Sequence, residues 1–222
     1  LAKGCWTPVE KVGTADGWQA EILGDGGIAI SCKGESRGIL HWELLGEHNR
    51  MNALAALAAA RHAGVPVSSG MAALAQFKNV KRRMEVRGVV NGITVYDDFA
   101  HHPTAIHTTL QGLRDKVKGA RIIAVLEPRS NTMKMGTWKD SLAGSLAAAD
   151  QVFCYTANLG WDAAEALQSL GAKAAGYDNL EQLIARIAAI ARPGDHVLVM
   201  SNGGFGGIHE KLLKALGATA AA

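Results

Sequence analysis

Apolar and polar stretches alternate regularly in the later part of the chain. Five short apolar or alternating runs predict strands: Met84 to Val90, Ile93 to Asp98, Arg121 to Leu126, Gln151 to Tyr155 and His196 to Met200. Helical patterns separate or follow them, near Thr104 to Val117, Thr137 to Ala149, Trp161 to Leu170, Leu180 to Ala191 and Ile208 to Leu216. This alternation predicts an α/β fold built on a doubly wound sheet.

Most strands of this sheet are predicted to be parallel. The runs RIIAVL, QVFCY and HVLVM are almost continuously apolar, as expected where helices cover both faces of a parallel sheet. The first two strands are separated only by Asn91 and Gly92, a pair that favours a tight hairpin turn. We therefore expect one antiparallel strand at the start of a Rossmann-like sheet.

The earlier part of the chain has a different pattern. From Trp6 to Glu43, short apolar segments alternate with glycines, which predicts hairpin strands and turns. The segment GEHNRMNALAALAAARHAGVP predicts a helix, with Asn49 as a candidate N-cap and Gly64 just past its end. A second short helix follows, and the pattern then becomes charged and extended. We place a domain boundary near Asn79, giving domains over residues 1–79 and 80–222.

Composition excludes several classes of protein. With 48% hydrophobic and 19% charged residues, the chain can bury a core and is not a disordered protein. A net charge of +3 is too small and too dispersed for a nucleic-acid partner. The three cysteines lie far apart, so neither a disulfide framework nor a zinc site is indicated.

The chain shows neither a membrane span nor a signal peptide. No window reaches the roughly 18 to 20 apolar residues that a membrane span needs, so we expect no membrane partner. The first residues, LAKGCWTPVE, lack an initiator Met and a basic region before an apolar run. We interpret the sequence as a segment of a longer, cytoplasmic protein.

Polar segments follow three of the predicted strands. They are DDFAHHP, with Asp97, Asp98, His101 and His102; EPRSNTMKMG, with Arg129, Ser130 and Asn131; and SNGGFGGIHE, with Asn202, Gly203 and Gly204. Because ligands of doubly wound sheets bind at the carboxyl ends of the strands, we expect these segments to line one crevice.

Two of these segments also have a purely structural interpretation. DDFAHHP suits a nucleotide or substrate site, but it also suits a helix entry with a capping Asp and Pro103 in the first turn. A metal site is less favoured, because adjacent residues of an extended chain point to opposite faces. The glycine segment either cradles an anion or forms a tight turn.

Two further segments each have a structural and a functional interpretation. KRRMEVR, with Lys81, Arg82, Arg83 and Arg87, is either a solvated face or a clamp for a base or phosphate. In HNRMN, the side chains of His48, Asn49 and Asn52 either cap a helix or contact an adenine edge.

Taken together, GEHNRMNALAALAAARHAGVP, KRRMEV and VYDDFAHHPTAI, in this order, resemble the ATP-dependent Mur ligases of peptidoglycan synthesis. The resemblance covers essentially the whole chain but only the later half of the family's layout. It implies that residues 1–79 are the truncated end of the central ATPase domain and that residues 80–222 are the C-terminal domain. The sequence contains no G-x-x-x-x-G-K-[ST] phosphate loop.

Within the family, DDFAHHP is most similar to the branch that uses UDP-N-acetylmuramate. That branch includes a ligase that adds L-alanine, with a typical His-Arg-Tyr element where this sequence has Arg129, Ser130 and Asn131. The difference implies a larger amine, the tripeptide L-Ala-γ-D-Glu-meso-diaminopimelate of peptidoglycan recycling. The alanine-adding activity is the alternative.

The resemblance also implies residue roles. His48, Asn49, Asn52, Arg83 and Asp98 would bind ATP, and His101 would lie near the reacting phosphate and amine as a catalytic residue. The phosphate loop and the main Mg²⁺ ligands would lie upstream of Leu1, so the segment alone is predicted to be inactive and to hold no metal. The substrate would contact His102, Arg129, Ser130, Asn131, Asn202, Gly203 and Gly204.

Two other function classes remain open at this point. A metal-dependent phosphohydrolase would use Asp97, Asp98, His101 and His102, and would show manganese-stimulated activity. A non-catalytic module would bind muropeptides without ATP. Both treat the HNRMN and RRME elements as coincidences.

Overall fold

The structure is a computed structural model that describes residues 4–42, 44, 46–78 and 80–218. Contacts divide the chain into two compact units, Leu1–Asn79 and Val80–Ala222. That these units are the two expected ligase domains stays a prediction. Each unit has its own core and is described by itself.

The first unit is a small antiparallel sheet covered by two helices. Strands β1 (Trp18–Ile22), β2 (Ile28–Cys32) and β3 (Glu35–Leu40) pair in that order, which confirms the predicted hairpins. Helices α1 (Glu47–His62) and α2 (Val67–Gln76) follow. The core joins large side chains of the sheet to α1, and its fully buried members include Trp18, Ile30, Leu40, Leu54 and Leu57.

Helix α1 begins earlier than the sequence suggested. The carbonyl oxygen of Gly46 accepts the amides of Asn49 and Arg50, so Gly46 is the N-cap and the prediction of Asn49 as a cap was wrong. At the other end, Gly64 has a φ of 91° and its amide donates to the carbonyl of Arg61. The predicted glycine at the helix end is therefore confirmed.

The second unit is a doubly wound α/β domain. Its strands are β4 (Glu85–Val90), β5 (Ile93–Asp98), β6 (Ile122–Leu126), β7 (Gln151–Tyr155), β8 (Ala174–Tyr177) and β9 (His196–Met200). Its helices are α3 (Pro103–Val117), α4 (Asn131–Lys134), α5 (Lys139–Ser145), α6 (Ala163–Ala166), α7 (Leu180–Ile190) and α8 (Ile208–Ala218). Short 3₁₀ segments span Gln168–Lys173 and Phe205–Gly207.

The sheet order β4-β5-β9-β6-β7-β8 places the last strand in the middle. Strand β4 is antiparallel to β5, as predicted from the Asn91–Gly92 turn, and the other pairs are parallel. Residues of α3, α5 and α6 pack on one face of the sheet, and residues of α7 and α8 pack on the other. The predicted mainly parallel, doubly wound sheet is confirmed.

Several boundaries differ from the prediction for local reasons. Strand β8 was not predicted, because its sequence AAGY has no apolar run. The helix predicted over Thr137 to Ala149 is the shorter α5, and Gly136, with a φ of 73°, separates it from α4. The helix predicted over Trp161 to Leu170 is the short α6, followed by a 3₁₀ segment in which Gly171 has a φ of 59°. In the described part of the chain, no helix has the length and apolar character to cross a membrane.

Candidate active site

The three polar segments begin at one edge of the second unit's sheet. Asp98 at the end of β5 and Leu126 at the end of β6 both pair with Met200 at the end of β9. The chain after β6 leads to helices on one face, whereas the chain after β9 leads to α8 on the other. A sheet edge with this divergence is where α/β proteins bind ligands.

A cavity of about 440 Å³ opens at this edge, between the segments that follow β6, β7 and β9. Its lining includes two cations, Arg129 and Lys134, one carboxylate, Glu127, and the polar side chains of Tyr155 and Asn158. Residues of DDFAHHP do not line this cavity. Two of the three predicted segments, those that follow β6 and β9, therefore contribute to the lining of the cavity.

The predicted residues Arg129 and Gly203 meet beside this cavity. A Cβ atom built on Gly203 would lie 2.5 Å from Cζ of Arg129, so a side chain there would overlap the guanidinium. Gly204 also lines the cavity, and a Cβ atom on it would meet nothing within 4 Å. Glycine is thus required at residue 203 to let the Arg129 side chain lie across the loop.

A serine and a carboxylate fix residues 201–204, which we call the glycine loop. The Ser201 hydroxyl donates a short hydrogen bond to Oε2 of Glu127 and accepts the amide of Gly203 at 2.9 Å. Ser201 is buried, whereas Glu127 is partly exposed and lines the cavity. The carboxylate of Glu127, a residue that lines the cavity, is thus tied to the loop through one oxygen.

Three other predicted substrate residues have different surroundings. Ser130 is the N-cap of α4, because its hydroxyl accepts the amide of Met133 at 3.3 Å. Asn131 is exposed in the first turn of that helix. Oδ1 of Asn202 is buried and accepts no hydrogen bond from the described residues. Among these three residues, Asn202 is the one with a buried side-chain oxygen to which no described residue donates a hydrogen bond.

Asp98 is almost completely buried and anchors two segments. Its Oδ2 accepts the amide of Met84 at 2.8 Å, and its Oδ1 accepts the amide of Ala100 at 2.8 Å and the Thr109 hydroxyl at 3.2 Å. Burial raises the pKa of this carboxyl, and the amides and the Arg83 charge oppose that effect. Asp98 therefore fixes the RRME segment to the end of β5.

Arg82 connects the RRME segment to the glycine loop. Its Nη2 donates to the carbonyl oxygens of Ser201, at 2.5 Å, and Gly203, at 2.8 Å, and its Nε donates to Asp97 at 3.3 Å. Arg83, to which the resemblance assigns a nucleotide contact, is exposed, and its guanidinium carbon lies 5.9 Å from the Phe99 ring centroid. The role of Arg82 was missed, because its partners lie 119 and 121 residues away.

His209 is a second residue that the sequence analysis missed. It lies on α8, and its Nε2 is 3.4 Å from Oδ1 of the buried Asp97. Burial lowers the pKa of His209, and Asp97 opposes that effect. The only sequence signal was its place in SNGGFGGIHE, one turn after the glycine loop.

The two histidines of DDFAHHP have distinct roles in the fold. The ring of His102 accepts the amide of Ala105 at 3.5 Å as the N-cap of α3, and Pro103 occupies the first helical position. Nδ1 of His101 lies 2.9 Å from the carbonyl oxygen of Phe99. Because a carbonyl only accepts, Nδ1 of His101 carries the proton, and Nε2 is left as the acceptor of the neutral ring.

The remaining predicted nucleotide residues lie in the first unit. His48, Asn49 and Asn52 occupy the first turns of α1, and their spacing of three and four places them along one side of that helix. His48 and Asn52 are exposed. Within the described ranges, no group of three or more His, Cys, Asp and Glu side chains is arranged to hold a metal ion.

Comparisons with known proteins give a consistent family. The profile of the family described as Mur ligase, glutamate ligase domain, matches residues 82–203. The UDP-N-acetylmuramate–L-alanyl-γ-D-glutamyl-meso-2,6-diaminoheptandioate ligase of Escherichia coli K12 is 52% identical over 220 residues, which is 97% of this chain and 48% of that protein. The chain thus spans about half the length of this curated relative.

Two further relatives bear on the branch and on the fold. The crystal structure of a murein peptide ligase from Psychrobacter arcticus 273-4 has a TM-score of 0.73 and 42% identity, covering 98% of this chain and 48% of that one. The UDP-N-acetylmuramate–L-alanine ligase of Mycolicibacterium vanbaalenii is 35% identical over 192 residues, 81% of this chain and 40% of that protein. The family profile matches more than half of the sequence, including the strand ends just described. The chain therefore belongs to the Mur ligase family.

Proposed function

We propose that this chain is the later half of an ATP-dependent ligase of peptidoglycan recycling. The ligase joins UDP-N-acetylmuramate to the tripeptide L-Ala-γ-D-Glu-meso-diaminopimelate in the cytoplasm. The observation that carries the proposal is the charge pattern of the cavity, with Arg129 and Lys134 beside Glu127. The relatives with 52% and 42% identity, whose names give this type of ligase, support it.

The reaction has two steps in this account. The muramate carboxylate attacks the γ-phosphate of ATP, which forms an acyl phosphate and releases ADP. The amine of the tripeptide then attacks the acyl carbon, loses a proton and expels phosphate, which leaves an amide. Chemistry of this kind depends mainly on positioning the reactants and stabilising charge.

The cavity suits the tripeptide better than it suits alanine. The tripeptide carries several carboxylates and, on diaminopimelate, an ammonium group in addition to the reacting amine. Arg129 and Lys134 would bind carboxylates, and the Glu127 carboxylate would bind the ammonium group. Asn131, Asn202, Gly203 and Gly204 would complete the peptide site, with Ser130 placing α4, the helix that carries Lys134. His102 caps α3 and does not line this cavity.

The described residues also fit a nucleotide. A carboxylate has about four acceptor sites, and Asp98 uses three of them for Met84, Ala100 and Thr109. The fourth acceptor site of Asp98 would accept a ribose hydroxyl in this proposal. Arg83 would contact the nucleotide from the same segment.

His101 would act on the attacking amine. Its Nδ1 is held by the carbonyl oxygen of Phe99 at 2.9 Å, which leaves Nε2 of the neutral ring able to accept the proton that the amine loses. Mg²⁺ would neutralise phosphate charge during the reaction. We expect its main ligands in the other half of the protein.

The test uses the full-length parent enzyme. ADP release is measured with UDP-N-acetylmuramate and either L-alanine or the tripeptide, for the wild type, Arg129→Ala and Arg186→Ala, a control at an exposed position of α7. We expect tripeptide-dependent turnover, and a KM for the tripeptide that rises about 10-fold or more in Arg129→Ala alone, since a charged hydrogen bond is lost. Turnover with alanine alone would assign the protein to the alanine-adding branch instead.

A further inference from the structure

Arg82 has an unusual position in the second unit, because its backbone is fixed as firmly as its side chain. Its φ is 60°, in the left-handed region that residues other than glycine rarely adopt. Its amide donates to Oε2 of Glu85 at 2.8 Å, and its carbonyl accepts the amide of Phe99 at 2.8 Å. Such a conformation persists only where the surroundings hold it in place.

The guanidinium of Arg82 is directed at the backbone of the glycine loop. One nitrogen, Nη2, serves both the carbonyl of Ser201, at 2.5 Å, and that of Gly203, at 2.8 Å. Nε donates to the buried Asp97, and the guanidinium carbon lies 5.3 Å from the centroid of the Phe99 ring. Arg82 therefore fixes the two carbonyls on either side of Asn202.

The loop that Arg82 fixes is the one against which Arg129 lies. Gly203 donates its amide to Ser201, accepts from Arg82 through its carbonyl, and presents its Cα to the Arg129 guanidinium. A rotation of the peptide units on either side of Asn202 would move all three contacts together. The position of Arg129 at the cavity thus depends on a residue that does not line the cavity.

We propose that Arg82 is a positioning residue for the peptide site. It holds the loop 201–203 in the conformation that supports Arg129, and it does not itself contact the peptide. This proposal rests on the proposed function for its kinetic consequence, but its structural consequence is independent of that function. Lysine is a poor substitute, because a single ammonium lacks the planar fork that reaches a carboxylate and two carbonyls together.

The chain contains a matched control for this residue. Arg121 donates to the buried Asp195 at 2.9 and 2.5 Å and to the carbonyl of Ile190 at 2.6 Å. Its side chain is 29% exposed and that of Asp195 is 6% exposed, against 29% and 5% for Arg82 and Asp97. Arg121 lies at the opposite end of the sheet, just before β6, so its loss tests stability without touching the loop.

The first experiment measures amide hydrogen exchange in the 222-residue chain. In Arg82→Ala we expect exchange at residues 201–204 to be about tenfold faster than in the wild type, after correction for global stability. Arg121→Ala should leave exchange at these residues unchanged. Equal exchange in the Arg82→Ala and wild-type chains would overturn the proposal, whatever the activity of the parent enzyme.

The second experiment measures kinetics in the full-length parent. We expect Arg82→Ala and Arg82→Lys to raise the KM for the tripeptide about 10-fold or more, with the KM for UDP-N-acetylmuramate within about twofold of the wild-type value. Arg121→Ala should change neither constant. An unchanged KM for the tripeptide in Arg82→Ala would contradict the proposal. If wild-type enzyme shows no tripeptide turnover, the proposed function fails, and hydrogen exchange still decides the role of Arg82 in the loop.

Discussion

The Arg129 side chain lies across the Cα atom of Gly203, so that the ends of β6 and β9 are in direct contact at the candidate peptide site. The two residues are 74 positions apart, and the strands that carry them are neighbours in the sheet. The contact exists because residue 203 has no side chain. It links the conformation of the glycine loop to the direction of a cation at the cavity.

Replacing Gly203 with alanine should displace Arg129. The new Cβ atom would overlap the guanidinium, and a flexible, exposed arginine would move aside at little cost in stability. We expect Gly203→Ala to change the free energy of unfolding by less than about 1 kcal/mol and to raise the KM for the tripeptide about 10-fold in the parent enzyme.

Gly119→Ala is the matched control, because Gly119 is exposed, does not line the cavity, and a Cβ atom at that residue would meet nothing within 4 Å. The free energy of unfolding and the tripeptide KM should both stay near the wild-type values in this variant. A tripeptide KM in Gly203→Ala equal to that in Gly119→Ala would show that the contact with Arg129 has no role in binding.

Removing the carboxylate of Asp98 should destabilise the second unit. Asp98→Ala leaves the amides of Met84 and Ala100 without their acceptor at a buried position. We expect the free energy of unfolding to fall by about 2–4 kcal/mol, measured by urea denaturation. Asp115→Ala, at an exposed position of α3, should stay within about 0.5 kcal/mol of the wild type. Equal midpoints for the two variants would argue against an anchoring role for Asp98.

The stability of the chain should depend on pH through His209. Burial lowers the pKa of its ring in the folded chain below the usual 6.5, while Asp97 and Glu85 oppose this and Arg82 and Arg87 reinforce it. Because the unfolded chain then binds the proton more readily, the free energy of unfolding falls as the pH drops below about 6.5.

The effect of His209 is isolated by comparing how the free energy of unfolding depends on pH in the wild type and in a variant without this ring. Between pH 7 and pH 5 the wild type should lose more stability than His209→Gln, which lacks the titrating ring. His107→Gln, at an exposed position of α3, should follow the wild type. Parallel curves for the wild type and His209→Gln would mean that the proton on His209 is not linked to folding.

Cysteine reactivity should separate buried from exposed positions. Burial raises the pKa of Cys154 to about 12, whereas a hydrogen bond with Thr7 lowers the pKa of the exposed Cys5. At pH 8, iodoacetamide should modify Cys5 in the native chain and leave Cys154 and the buried Cys32 unmodified. In urea all three should react, as measured by mass spectrometry. Fast native labelling of Cys154 would contradict the packing of β7.

The sequence was most informative where the relevant physics is local or periodic. Continuous apolar runs predicted β6, β7 and β9, and the Asn91–Gly92 pair predicted the hairpin, because each signal lies within a few residues. The start of α1 was misplaced, because the neighbouring sequence does not distinguish an asparagine at the third residue of a helix from an asparagine at its N-cap.

Long-range contacts within the site could not be predicted in the same way. A strand-end rule brought Arg129 and Gly203 to one edge, but nothing in the sequence paired Arg82 with carbonyls beyond β9. Every residue has a backbone carbonyl, so the residue types do not show which carbonyls accept a side-chain hydrogen bond. For the same reason, the sequence does not show which of two neighbouring arginines makes such a bond. Glu127 was missed for a related reason, because its partner Ser201 follows β9, which neighbours β6 in the sheet but lies far from it in the sequence.

The most direct test of the account is a competition in the full-length parent enzyme. ATP and UDP-N-acetylmuramate are supplied with equimolar L-alanine and L-Ala-γ-D-Glu-meso-diaminopimelate, and the UDP-linked products are identified by mass. We expect the tripeptide product to predominate in the wild type and to decline selectively in Arg129→Ala. A wild-type enzyme that makes the alanine product, or that gives the same ratio of products with and without Arg129, would contradict it.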